Sequence, residues 1–350
     1  MSTHTLNSNQ PQRTSGLRTL FQGRHSREIG LAVLIVVLIV TFGVKYPDDF
    51  PTWENARVVL RGLASDGVLA VGMMLLLIGG MFDLSVGSIY SLTGVVASCL
   101  MTDPEFEWSA LAAVTSGLAV ASLAGLFNGV VVAKVKVNPL ITTLGTMGIY
   151  RGLAILLGGT GKPYSEEFRQ WGRTDQWRLE WIGEPVAGYV REIFRVENWG
   201  LILLIVVVLL FHYFLAHTRF FRQFYYIGSN AKAAVLSGIA VTRLQIFAFT
   251  LMGFLAGLAG IAFTARLQNS LATAGDGAEL RAITAVVLGG ASLAGGRGTI
   301  VGALLGVLFI ALIKSVMYFA HVNSNWQSII IGVVLVTAVG LDSLLNRRSQ

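Results

Sequence analysis

The chain has 350 residues, 54% of them hydrophobic and only 13% charged; soluble domains average about 25% charged. Mean hydropathy is +0.66 and the apolar residues come in long blocks, which indicates a polytopic membrane protein. Backbone polar groups in lipid must be bonded internally, so an open sheet is excluded and an all-α fold is expected. The net charge of +7 does not point to nucleic acid, because the basic residues lie in short loops between apolar runs and serve topogenesis. A lone cysteine, Cys99, leaves no intrachain disulfide.

Residues 1–27 are polar, carry Arg13, Arg18, Arg24 and Arg27, and read as a flexible cytoplasmic tail. No cleavable signal is evident, so the first apolar run, Ile29 to Val44, reads as a signal anchor. Within a transmembrane domain at 28–346, about ten spans are expected: 29–45, 57–79, 84–102, 109–133, 139–158, 199–216, 244–266, 280–296, 298–320 and 325–344. The alternation puts Lys134, Lys136, the 217–243 loop, Arg347 and Arg348 on the side of the N-terminus. Asp48, Asp49, Glu54, Asp103, Glu105 and Glu107 fall on the other. Lys and Arg resist translocation, so both termini are expected in the cytoplasm.

In chain order, the first polar feature is Asp83. A carboxylate at membrane depth suggests a substrate or proton site. Equally, it stands just before a helical run from Leu84 and its oxygen can cap that helix. Ser85 follows at once. Asn128 lies deep in the fourth span. Thr142, Thr146 and Tyr150 recur every four residues along one face of the fifth. Such hydroxyls and amides can hydrogen-bond a neutral polyol or link helices to one another. Their lack of charge favours a neutral solute over an ion.

Gly159 to Asn198 is the one long external stretch, read as a periplasmic loop. It mixes Trp171, Trp177, Trp181 and Tyr189 with charges of both signs. The aromatics serve either as interfacial anchors or as a docking surface for an external partner.

The 217–243 loop carries Arg219, Arg222, Lys232 and Arg243 without any acid. Within it, Ile227 to Val241 reads as a capped helix of about two turns, far short of the roughly 20 residues of a span. Ser229 or Asn230 can accept the first free amides, Ala233 and Ala234 favour helix, and Gly238 supplies the left-handed residue that ends it. A rigid, capped helix on the inner face is something a partner can grip.

Two stretches resemble one another. Ile78 to Ile89 and Leu288 to Ile300 share a Gly-Gly pair, a central Leu and a closing Gly-Ser/Thr-Ile; the second includes Ser292. Glycine-broken helices of this kind border substrate routes in transporters, although glycine also simply permits close packing.

No catalytic set is present. The five histidines lack metal-ligand spacing. Gly158-Gly-Thr-Gly-Lys-Pro163 lacks the first glycine of a phosphate loop and has Pro where Ser or Thr binds magnesium. The chain is expected to be no enzyme and to hold no cofactor or metal of its own.

Four blocks resemble the monosaccharide permeases of bacterial ATP-binding-cassette importers, the ribose, xylose, autoinducer-2 and rhamnose type. They are Asp83 to Ser88, Phe127 to Ala133 followed by Asn138 to Leu144, Ile227 to Val241, and Ala285 to Gly298. The resemblance implies a permease subunit that pairs with a second one, as homodimer or heterodimer. It also implies a cytoplasmic ATPase that binds ATP and magnesium, and a periplasmic or lipid-anchored sugar-binding protein. It gives the 227–241 segment the role of docking in a groove of the ATPase through Gly228, Asn230, Ala233, Ala234, Ser237, Gly238 and Ile239. Leu144 to Gly152 is similar to the autoinducer-2 and rhamnose branches, whose permeases often work as heterodimers. The chain departs from the pattern at Met81-Phe82, at Arg281, which replaces a common acidic residue, and across 159–198. A stand-alone secondary transporter or facilitator is the competing reading.

Overall fold

In a computed structural model, the described residues are 26–158, 161–171, 187, 190, 191, 193, 195, 198–323 and 325–347. Most of the expected N-terminal tail and the loop positions Trp177, Trp181 and Tyr189 lie outside them.

Helices in chain order are α1 (Ser26–Lys45), α2 (Trp53–Ile78), α3 (Val86–Thr102), α4 (Ala110–Val130), α5 (Pro139–Gly158), α6 (Glu166–Trp171), α7 (Trp199–His217), α8 (Arg219–Ser229), α9 (Ala231–Leu236), α10 (Val241–Leu267), α11 (Ala278–Leu288), α12 (Ile300–Phe319) and α13 (Asn325–Arg347). A π-helical turn, Val131–Val135, prolongs α4. Among the described residues the fold is all-α apart from β1 (Lys162–Pro163) and β2 (Asn269–Ser270), which pair antiparallel with Lys162 opposite Ser270.

Among the described residues, seven helices are long and apolar enough to cross a membrane: α1, α2, α4 with its π turn, α5, α7, α10 and α12. That is fewer than the ten expected from sequence. The segment expected as a span at 280–296 is the 11-residue α11, about 16 Å at 1.5 Å per residue and roughly half of a bilayer core. The expected span at 84–102 forms a 17-residue helix, α3. In the last helix the apolar stretch is only Trp326–Thr337.

Helix α3 sits at the centre, with nearly every side chain buried. It is enclosed by α4, α5 and α10, with α11 and the β1–β2 pair at its edge. Glycines let the backbones meet: a methyl group on Gly260 would collide with the carbonyl of Tyr90, and one on Gly125 or Gly253 would overlap the opposing helix of the α4–α10 pair. This is the small-residue packing of membrane interiors. Core side chains such as Val71, Met74, Leu77, Ile89, Phe249 and Leu255 fill the space between.

On the face opposite α8 and α9, residues 161–171 are strapped to the bundle. Ser98 donates to the carbonyl oxygens of Lys162 (2.9 Å) and Pro163 (3.0 Å), and Lys162 pairs with Asp103. Glu167 accepts from the first amide of α4 at 2.9 Å, serving as a cap supplied from another segment. Tyr164 and Phe168 are buried in a satellite cluster with Met101, Ile261 and Trp199.

Candidate functional site

The two glycine-broken segments have the same backbone geometry. Helix α2 ends at Gly79, and Gly80 (φ +73°) turns the chain: its amide bonds Leu77 O, and Met81 N bonds Leu76 O. Helix α11 ends at Gly289, and Gly290 (φ +96°) repeats the pattern with Val287 O, followed by Ala291 N to Val286 O. Both are Schellman caps, in which a left-handed glycine closes the last turn. Helix α2 lies antiparallel to α12, since Asn55 meets Ser315 while Ile78 meets Gly296. Helix α11 is antiparallel to α12 too, with Ala285 against Gly306 and Gly289 against Gly302. The two broken segments therefore run in the same direction.

Between them lies the end of α8. A methyl group on Gly228 would overlap the Ile78 carbonyl oxygen and come within 2.5 Å of Gly296 N. Gly296 N in turn donates to Ile78 O at 2.8 Å, and Tyr225 donates its hydroxyl to Gly298 O at 2.9 Å. Three backbones thus cross within van der Waals contact, and glycine is the residue type that allows it.

Helix α9 follows directly. Asn230, extended at φ −160°, accepts from Ala233 N at 3.0 Å through its side chain, the N-cap arrangement. Gly238 (φ +80°) and Ile239 close the helix by bonding Val235 O and Ala234 O. Ser237 donates to Ala233 O at 3.0 Å. Ala234 is buried beneath, whereas Val235 and Leu236 are 58% and 89% exposed. Two exposed apolar side chains thus stand on a short helix flanked by Lys232 and Arg243. A groove of about 700 Å³ runs beside it, lined by Gly79, Gly80, Asn138, Ile227, Gly228, Asn230 and Ala294 among others.

The seven pathway candidates separate into groups. Asp83, Ser85, Asn128 and Tyr150 form one buried chain: Ser85 donates its hydroxyl to Asp83 Oδ1 (2.6 Å), and Asn128 donates to Ser85 Oγ (2.8 Å). Tyr150 bonds Ala124 O (3.0 Å) and approaches Asn128 Oδ1 (3.4 Å). Asp83 Oδ1 also accepts from Ser85 N at 2.7 Å. It therefore closes a turn ahead of α3 rather than bonding an amide inside the helix. Asp83 Oδ2 is buried with no partner. Thr142, Thr146 and Tyr150 share the buried face of α5, with Thr142 Oγ1 unpartnered and Thr146 bonded to Thr143 O. Ser292 stands apart in the second break, where its hydroxyl accepts from Ala294 N at 3.3 Å.

Sequence reasoning missed a cluster of charges deep in the bundle. Asp66 of α2 receives Arg281 of α11 at 3.1 Å and Lys314 of α12 at 3.1 Å. This explains how Arg281 is accommodated where an acidic residue is common: it has its own carboxylate and is fixed by it. Arg281 also donates to Asp276 O at 3.0 Å. Asp276 in turn pairs through its carboxylate with Arg151 of α5 at 2.7 Å. Glu279, in the first turn of α11, is buried with Oε2 unpartnered. Its electrostatic neighbours include Arg151, Arg281 and Asp276. Pairs between residues 215 positions apart leave no local pattern to read. The only advance signal was that charged residues fall inside apolar blocks.

Among the described residues, no group of three or more His, Cys, Asp or Glu could hold a metal ion, and Cys99 is a buried free thiol.

A multi-pass helical bundle with broken helices and a capped surface helix defines a membrane transport component rather than a catalyst. The chain belongs to the family described as the permease component of the branched-chain amino acid transport system, which matches residues 59–339. It is 37% identical over 313 residues to the ribose import permease protein RbsC of Escherichia coli (strain K12), covering 89% of this chain and 92% of that protein. It is 35% identical over 323 residues to the L-arabinose ABC transporter permease protein AraH of Azospirillum brasilense, covering 92% and 88%. The probable ABC transporter permease protein YphD of Escherichia coli (strain K12) is 34% identical over 340 residues, covering 97% and 96%. No solved structure matches it. The chain is thus a multi-pass membrane permease component, similar to the sugar-import permeases named above.

Proposed function

We propose that this subunit imports a monosaccharide or similar small polyol, autoinducer-2-like solutes included, by alternating access. ATP and magnesium act on a separate cytoplasmic ATPase. A second permease subunit, identical or paralogous, completes the path, and a periplasmic or lipid-anchored binding protein delivers the solute. Both termini and the 217–243 loop face the cytoplasm, and 159–198 faces the periplasm, as the distribution of Lys and Arg favours.

The observation that carries this reading is α9. It is capped at both ends, exposes Val235 and Leu236, and follows Gly228, whose backbone touches both broken segments. A push on α9 reaches the end of α2 and the loop before α12 through backbone contact, so the same displacement acts on both. Gly228, Asn230, Ala233, Ala234, Ser237, Gly238 and Ile239 are the coupling residues of this proposal. The chain Asp83–Ser85–Asn128–Tyr150, with Thr142, Thr146 and Ser292, borders the route that opens. The ribose and L-arabinose permeases among its relatives favour a pentose-like solute over an amino acid.

Reconstitution tests this directly. Vesicles holding the permease with its ATPase and binding protein are expected to accumulate D-ribose or L-arabinose only when ATP is hydrolysed. Uptake by the permease alone, driven by an ion gradient or by the solute itself, would make it a stand-alone transporter. Accumulation of leucine in place of sugars would overturn the substrate class.

A further inference from the structure

The Arg151–Asp276 pair is where no lipid-facing pair should be. Arg151 is the thirteenth residue of the 20-residue α5, about 18 Å along it at 1.5 Å per residue and thus inside the bilayer core. Asp276 is reached by a chain that dips inward after β2: Gly275 N donates to Ser91 Oγ of α3 at 2.9 Å. The two charged side chains keep 33% and 51% of their surface open. Charges at this depth face a bundle interior or a water-filled cavity, not hydrocarbon. Gly148, one turn before Arg151, has nothing within 4 Å of where a side chain would begin, so a side chain added there meets no other part of this chain.

Glu279 adds an acceptor. It is 8% exposed, and its Oε2 has no hydrogen-bond partner. A buried carboxylate oxygen without a donor is a costly arrangement, and it is relieved when a ligand supplies the donor. The charges around it balance: Lys314, Arg281 and Arg151 against Asp66, Asp276 and Glu279. With no net charge left over, the matching ligand is neutral and rich in hydroxyls that both donate and accept.

We propose that Arg151, Asp276 and Glu279 form a hydroxyl-binding subsite midway along the route, where the passing solute is held. Asp276 and Glu279 accept from hydroxyl groups and Arg151 donates to a hydroxyl oxygen. The assignment rests on the sugar-import reading for its ligand class, but not for its claim that the pair faces water.

The two parts can be tested separately in the assembled transporter in membranes. Asp276→Cys is expected to react with a charged methanethiosulfonate reagent about tenfold faster than Leu156→Cys, which sits on an exposed apolar face at 83%. Gly148→Cys, which leaves the ion pair intact, serves as a second reporter should Asp276→Cys fail to assemble. Buried Cys99 gives the background. A reaction no faster than that of Leu156→Cys overturns the subsite whatever the uptake shows. Where the wild type transports D-ribose or L-arabinose, that sugar is expected to slow the reaction, and Glu279→Gln is expected to lower uptake about tenfold. Absence of sugar protection overturns the subsite as well. If the wild type carries neither sugar, the import reading fails for those sugars, and the labelling ratio still decides whether the pair meets water.

Discussion

Gly296 donates its amide to the carbonyl oxygen of Ile78 at 2.8 Å, joining the loop of the second broken segment to the last residue of α2. Gly228 lies against both partners of this bond. The two broken segments are therefore one mechanical unit at this end of the bundle, and Gly228 is its closest contact with the surface helices.

Gly228→Ala should be far worse than an ordinary glycine substitution, because the added methyl overlaps backbone rather than a movable side chain. Overpacking of this kind costs about 1–3 kcal/mol. The expected result is a lower thermal unfolding midpoint of the purified permease. Gly30→Ala, where nothing lies within 4 Å, should leave the midpoint unchanged.

Gly238→Val places a β-branched residue at φ +80°, a left-handed conformation costing about 1–2 kcal/mol for L-residues. Nothing lies within 4 Å of the new Cβ, so the effect is conformational and confined to the end of α9. ATP hydrolysis is expected to persist while sugar uptake falls, measured side by side in vesicles. Equal coupling ratios in wild type and variant would separate α9 from the drive.

Asn230→Ala removes the acceptor of Ala233 N and with it about 1 kcal/mol of helix stability. Asn230→Asp and Asn230→Ser retain an oxygen at that place. Pull-down of the ATPase should weaken for alanine and recover for both replacements. Equal weakening by all three would point to the amide itself as a contact.

Asp66→Ala leaves Arg281 and Lys314 without their shared carboxylate. Breaking a fully buried ion pair costs about 3–5 kcal/mol; with 14%, 21% and 32% of the Asp66, Arg281 and Lys314 side chains exposed, the loss here falls below that. Expression in the membrane is expected to collapse, and adding Arg281→Leu should restore part of it. A double-mutant cycle on thermal stability measures the coupling, and additive losses would show that the pair is not an energetic unit.

How much of this could be read in advance depends on the range of each interaction. The cap at Asn230 and the turn at Gly238 are set within four residues, so a short capped helix was legible. Its start was not: the sequence suggests Ile227 and leaves the cap open between Ser229 and Asn230, whereas Ile227 to Ser229 belong to α8. The shared face of Thr142, Thr146 and Tyr150 was legible from helical spacing alone. Asp83 was read either as a substrate or proton site or as a helix cap; its Oδ1 accepts from Ser85 N and Oγ just ahead of α3, and only the fold shows Ser85 in turn held by Asn128 of another helix. The span expected at 280–296 was misjudged because Leu288-Gly-Gly reads as weakened membrane helix, whereas the glycines end the helix there. The charge cluster joins α2, α5, α11 and α12, and hydropathy records such residues only as interruptions. No local signal couples Asp66 to Arg281.

Helix α11 carries Glu279 and Arg281 and is only 11 residues long. A segment so short and so charged cannot partition into lipid on its own during synthesis. The counter-charge of Arg281, Asp66, is made early, on α2, whereas α12, against which α11 packs, is made after it. Nascent α11 can pair Arg281 with Asp66 at once but lacks its packing partner until α12 has emerged. A chain truncated before Lys314 would lack both α12 against α11 and the cation that completes the cluster, so biogenesis of the whole core hangs on its final third.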